Sequence, residues 1–252
     1  MTRFSQLAFA LVLLLFTLNL YASQIGQLSF ATIGDNSEIP QGVATTIMQD
    51  RQGFIWVGTQ QGLLRYDGYK FITYKKNESE NSLVGNYVRS LAQTPDGKIV
   101  VGTTSDGLSI FDTITGSFTN YRYQPQELLT LSHNYIQALA TTEKGVWAGT
   151  GNGLNFIPYD GSAIKHYSDG LKDTTIRSLL LDQNKNLWVG TQRGLYKFNT
   201  NRKSFEVVSP NKSKLIEIDD KSIESLYMNR SGILWIGTKQ QGVFQLNTFP
   251  NP

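Results

Sequence analysis

No cysteine occurs among the 252 residues of this chain. Disulfides, thiolate chemistry and cysteine-ligated metals are therefore excluded. Histidine is nearly as scarce, with only His133 and His166. They fall at non-equivalent places and read as turn or surface residues. No His/Asp/Glu cluster has metal-site spacing, so neither a metal nor a cofactor is expected. Charge of one sign is also missing. The formal net charge is +3 and no Lys/Arg block stands out, so nucleic acid is not an expected partner. There is no calcium-loop pattern and no Gly-x-Ser-x-Gly nucleophile elbow. The glycine-rich run from Gly149 to Gly153 lacks the lysine of a phosphate-binding loop and reads as a connection between strands. Beyond residue 23 there is no second long apolar run.

The first 23 residues differ from the rest. Arg3 supplies a positive start, Leu7 to Leu20 is almost unbroken apolar sequence, and small residues follow at Ala22 and Ser23. This is the order of a secretory signal peptide, and the run is shorter than the ~20 residues a membrane helix needs. A periplasmic location is expected, with an uncleaved amino-terminal anchor as the alternative. Residues 24–252 then form the folded region.

What the chain has in abundance is one short pattern. Trp-x-Gly-Thr, a few polar residues, then Gly and an apolar residue recur around Trp56 and Gly58, Val100 and Gly102, Trp147 and Gly149, Trp188 and Gly190, and Trp235 and Gly237. Successive glycines are 44, 47, 41 and 47 residues apart. Self-similarity at this period, built from short strands, marks a β-propeller. The expected fold is all-β, with five four-stranded blades at about residues 43–75, 87–123, 135–168, 175–209 and 222–247. The fifth unit lacks a fourth strand. The segment 28–33 resembles the outer strands of other units and is expected to complete it and close the ring. The alternative is an incomplete part of a seven-bladed propeller. The indoles should fill the wedges between sheets, and the second unit, with Val100 in that place, must fill its wedge otherwise.

One stretch carries a resemblance: Ile47-Met-Gln-Asp-Arg-Gln-Gly-Phe-Ile-Trp-Val-Gly-Thr-Gln-Gln-Gly-Leu-Leu-Arg-Tyr-Asp-Gly-Tyr-Lys-Phe71. It resembles the two-component regulator propeller repeat, and the likeness extends over about residues 28 to 247. In that family the repeat forms the periplasmic sensor region of bacterial hybrid histidine kinases and diguanylate cyclases. The resemblance implies an exported sensing module of signal transduction. Family members carry more repeats, then an immunoglobulin-like domain, a membrane helix and an output domain. No kinase, cyclase or phosphate-accepting segment is found in this sequence.

Binding therefore has a better case than catalysis. Propeller ligands meet the face carrying the loops around the central channel. At the start of the first strand of each unit stand Thr45, Arg89, Gln137, Arg177 and Glu224, expected to ring the channel mouth. Two arginines there can hold a carboxylate or phosphate, or the set is simply a row of solvated strand starts. Tyr87 and Tyr135, just before two of these strands, can stack on sugars or pack over a blade edge. The expected partner is a small molecule or oligosaccharide, with a membrane sensor protein or self-association also open. The rival readings are a propeller-fold lyase or glycan-processing enzyme, and a truncated fragment of a larger sensor.

Overall fold

The computed structural model describes residues 43–127, 129–208 and 218–248. All of them lie in the compact unit Asn36–Pro252. The export segment and the strand expected at 28–33 lie outside the described residues.

The described residues form antiparallel meanders and no helix. The first sheet is β1 (Ala44–Gln49), β2 (Ile55–Thr59), β3 (Gly62–Tyr66) and β4 (Phe71–Tyr74). The second is β5 (Val88–Gln93), β6 (Ile99–Thr103), β7 (Leu108–Asp112) and β8 (Ser117–Tyr121). The third is β9 (Ile136–Thr141), β10 (Gly145–Thr150), β11 (Gly153–Pro158) and β12 (Lys165–Tyr167). The fourth is β13 (Ile176–Leu181), β14 (Leu187–Thr191), β15 (Gly194–Asn199) and β16 (Ser204–Val207). The fifth has three strands among the described residues: β17 (Ile223–Met228), β18 (Ile233–Thr238) and β19 (Val243–Asn247). First strands pack on one another in series, β1 on β5, β5 on β9, β9 on β13 and β13 on β17. Sheets related in this way are the blades of a propeller.

The core is divided among the seams between blades. Each of the four buried apolar clusters draws on two consecutive sheets. Trp56 and Leu63 meet Val88, Ile99 and Phe111; Trp147 and Leu154 meet Ile176, Val189 and Phe198; Trp188 and Leu195 meet Ile223 and Ile236. The second seam is aliphatic as its sequence required: Val100, Leu108 and Ile110 pack against Ile136, Val146 and Ile157.

The glycine of the repeat makes these seams possible. A Cβ on Gly149 would lie 2.4 Å from Cγ2 of Ile176 in the next blade, and one on Gly102 would lie 2.7 Å from Cγ2 of Ile136. Gly58 and Gly190 face Val88 and Ile223 in the same way. A branched side chain from each first strand thus fills the place where the preceding blade has no side chain. Hydroxyls tie some of these seams: Ser178 donates to the Ile223 carbonyl at 2.9 Å, and Thr45 lies 2.6 Å from the Val88 carbonyl.

The repeat's threonine has a different task. Thr59, Thr103, Thr150, Thr191 and Thr238 each donate to the carbonyl of the glycine that ends the following turn, at 2.8–3.0 Å. Each also accepts a backbone N–H from within the turn. Those terminal glycines have φ between 73° and 139°, where L side chains are strained.

Two tryptophans have a partner that the sequence reading missed. The indole N–H of Trp56 donates to Asp50 at 2.7 Å, and that of Trp188 to Asp182 at 2.9 Å. Both carboxylates lie in turns between the first and second strands and are buried. Burial pushes the Asp182 carboxyl up, but hydrogen bonds from Asn186, Trp188 and backbone amides outweigh it and hold it below its ordinary value.

The fifth blade departs from the others. Trp235 is 42% exposed, against 0–5% for Trp56, Trp147 and Trp188. A Cβ on Gly237 would meet only Ser225 of its own sheet. Among the described residues Ser225, unlike Ser178, has no hydrogen bond to a following blade. Among the described residues, then, the seam that would join the fifth blade to the first is not made, and Trp235 does not fill a wedge.

Two outcomes test this architecture. Gly149→Ala should cost about 1–3 kcal/mol through the clash with Ile176. In an Ile176→Ala background most of that cost should vanish, read as coupling in a double-mutant cycle by urea unfolding. Asp182→Asn should destabilise the fold by about 1–3 kcal/mol at neutral pH. Because the folded pKa is depressed, the carboxylate's contribution is present above its unfolded pKa and is lost as pH falls through the folded one. Melting temperatures of wild type and variant should therefore converge in acid, and a gap that persists there would contradict the assignment.

Candidate functional site

Every first strand contains a bulge near its start. The register jumps from Ala44 to Thr46, Val88 to Ser90, Ile136 to Ala138, Ile176 to Ser178 and Ile223 to Ser225 against the facing second strand. The residues left out of the ladder are Thr45, Arg89, Gln137, Arg177 and Glu224. The set inferred from sequence is thus one structural position repeated five times. A bulge bends the strand and re-aims the extra side chain.

The five do not share one environment. Thr45 sits between the carbonyls of Gly58 and Val88 and serves the first seam. Arg89 is exposed. Gln137 is 6% exposed, and its side-chain nitrogen has no hydrogen-bond partner among the described residues. Arg177 donates from Nη2 to the Gln192 carboxamide at 2.9 Å, while its buried Nε has no partner among the described residues. Glu224 accepts the Ser222 hydroxyl at 2.6 Å. Tyr87 accepts from the Gln60 amide at 3.2 Å and so belongs to the neighbouring loop. The Tyr135 amide donates to His133 Nδ1 at 2.9 Å.

Of these seven, only Arg177 lines the groove that opens between the fourth and fifth blades, a cavity of about 240 Å³. Its other walls are Gln192, the segment Asp220-Lys221-Ser222, and the β18–β19 turn from Thr238 to Gln241. Backbone bonds fix the walls. The amide of Gln192 donates to Thr175, that of Gly194 to Lys221, and that of Lys239 to Ser222, at 2.8–3.1 Å. The turns between second and third strands are thereby stitched to the connections that precede the first strands. Asp220 pairs with Arg193 at 3.1 Å and lies 3.9 Å from Lys172. Gln192 and the Lys239–Gln241 turn lie in the polar connections between second and third strands, and Lys221 sits in a connection without a repeat signature.

The histidines lie where the sequence placed them. His133 Nδ1 accepts a backbone amide within its own turn, and His166 Nε2 lies 2.6 Å from the Thr130 carbonyl. The run from Gly149 to Gly153 ends β10, turns at Gly151-Asn152 and opens β11.

The blades and their seams define a β-propeller whose loop face holds a polar groove. Within that class, residues 38–61 and 170–193 match the family model described as two component regulator propeller. The chain is 26% identical over 185 residues to Histidine kinase P4 of Formosa agariphila, covering 67% of this chain and 13% of that protein. It therefore spans only a small part of the curated relative it matches. Among solved structures it is similar to the extracellular domain of a B. thetaiotaomicron protein described as a hybrid two component system. That likeness has 24% identity and a TM-score of 0.52 over 86% of this chain and 35% of the other. It is also similar in fold to virginiamycin B lyase from Staphylococcus aureus, with 14% identity and a TM-score of 0.60 over 84% of this chain and 71% of that one.

Proposed function

We propose that this chain is an exported ligand-sensing module of a bacterial signalling system, acting by binding and without chemistry of its own. The observation that carries the reading is a built polar groove on the loop face of a chain in which residues 38–61 and 170–193 match the two component regulator propeller model. The groove walls come from two blades, so a ligand seated there touches both sides of the β13–β17 seam. A ligand that prefers one arrangement of that seam shifts the population toward it. A membrane sensor protein or a second copy would read the change. Export is supported by the composition of residues 1–23. The non-catalytic reading is supported by the engagement of both histidine rings with backbone groups away from the groove. The lyase likeness is one of fold.

Expression with the natural amino terminus should place the protein in the periplasmic fraction, with Gln24 as the mature first residue by mass spectrometry. The secreted protein, screened by thermal shift against metabolites and oligosaccharides, should melt higher with a ligand selective for the folded state. Turnover of any hit would overturn the non-enzymatic reading, and retention of the protein in the cytoplasm would overturn export.

A further inference from the structure

We infer that the groove between the fourth and fifth blades takes an anion, a carboxylate or phosphate carried by a small polar ligand. This rests on the sensing role proposed above and adds to it the chemical class of what is sensed.

Charge is the first ground. Arg177, Lys221 and Lys239 all line the groove, and none of the three makes an ion pair among the described residues. The carboxylate on the wall is Asp220, and it is already engaged by Arg193 and Lys172 from outside the lining. Glu224, the nearest further carboxylate on β17, does not line the groove and accepts the Ser222 hydroxyl. Positive charge is thus left facing the cavity.

Geometry is the second ground. The Gln192 carboxamide fixes Nη2 of Arg177 and with it the guanidinium plane. Nε is buried and without a partner among the described residues. The remaining N–H groups of the guanidinium, Nε apart, can pair with a carboxylate or phosphate oxygen in the groove. The bulge at Arg177 lifts the side chain out of the ladder, and the rigid sheet holds its root.

The lining supplies the third ground. No apolar side chain contributes to it, and Gln240 and Gln241 complete the wall. A lipid or an aromatic ring finds no contact surface there, whereas a hydroxylated or amide-bearing anion does. Arg89, which the sequence paired with Arg177, stands outside this groove; the partners of Arg177 in holding the charge are Lys221 and Lys239.

The test uses matched probes on the secreted chain at low ionic strength, by calorimetric titration and thermal shift. Glucuronate and glucose differ in the carboxylate, and inorganic phosphate separates the two anion types. Saturable binding of glucuronate or phosphate, absent for glucose and weakened by added salt, is expected. Arg177→Gln should raise the dissociation constant about tenfold or more. Lys221→Ala with Lys239→Ala, neither of which makes an ion pair among the described residues, should weaken binding while leaving the unliganded melting temperature unchanged. That pair keeps the test valid if Arg177→Gln disturbs the fold. Equal binding of glucose and glucuronate, insensitive to the lysine changes, would overturn the anion class and leave the sensing role standing. Binding of neither anion would overturn this inference. If the broader ligand screen were also silent, the sensing role would fall with it.

Discussion

The whole arrangement depends on one steric bargain at each seam. A glycine in the second strand leaves a notch, and a Val or Ile at the start of the next blade's first strand enters it. The notch lets two sheets approach closely enough for Trp56, Trp147 and Trp188 to be sealed between them. Apolar area removed from water at these wedges is the main stabilising term, and it is available only where the backbones can come near. Contacts run from each blade to its neighbour, as in other repeat architectures. The structure is therefore a series of joints, each with its own small core, and no single central core holds it.

The same joints position the loop face that carries the polar groove. The residue that enters the notch is followed at once by the bulged residue, so seam and presented side chain are consecutive in sequence. Burying Ile176 fixes the place from which Arg177 projects. Variation at the bulge, through Thr, Arg, Gln, Arg and Glu, changes what the face offers without touching the packing residue beside it. This division lets one scaffold present a different side chain at each blade. It also explains why Thr45, drawn into the first seam by two carbonyls, contributes to structure instead.

Much of this was legible in the chain. The period, the Gly-bounded turns and the β-branched runs point to an all-β propeller of short strands, and that is the fold observed. The equivalence of Thr45, Arg89, Gln137, Arg177 and Glu224 was legible too, because it follows from counting within the repeat. Their differing environments were not. Whether Arg177 meets Lys221 and Lys239 depends on loops far apart in sequence, and Lys221 lies in a connection with no periodic signal. The Asp–Trp bonds had a signal that went unread: Asp50 and Asp182 each precede their indole by six residues, while the third and fifth blades have Thr141 and Asn229 there. The exposure of Trp235 could not be read from its motif at all, since the motif is intact and only the neighbour differs.

The notches have a further consequence. At Gly58, Gly102, Gly149 and Gly190 an added Cβ would come within 2.4–2.7 Å of a methyl from the next blade. A change on either side of one joint is therefore felt first by a single neighbour. Because stacked repeats touch only the units beside them, damage at one joint stays local and the remaining blades keep their own packing.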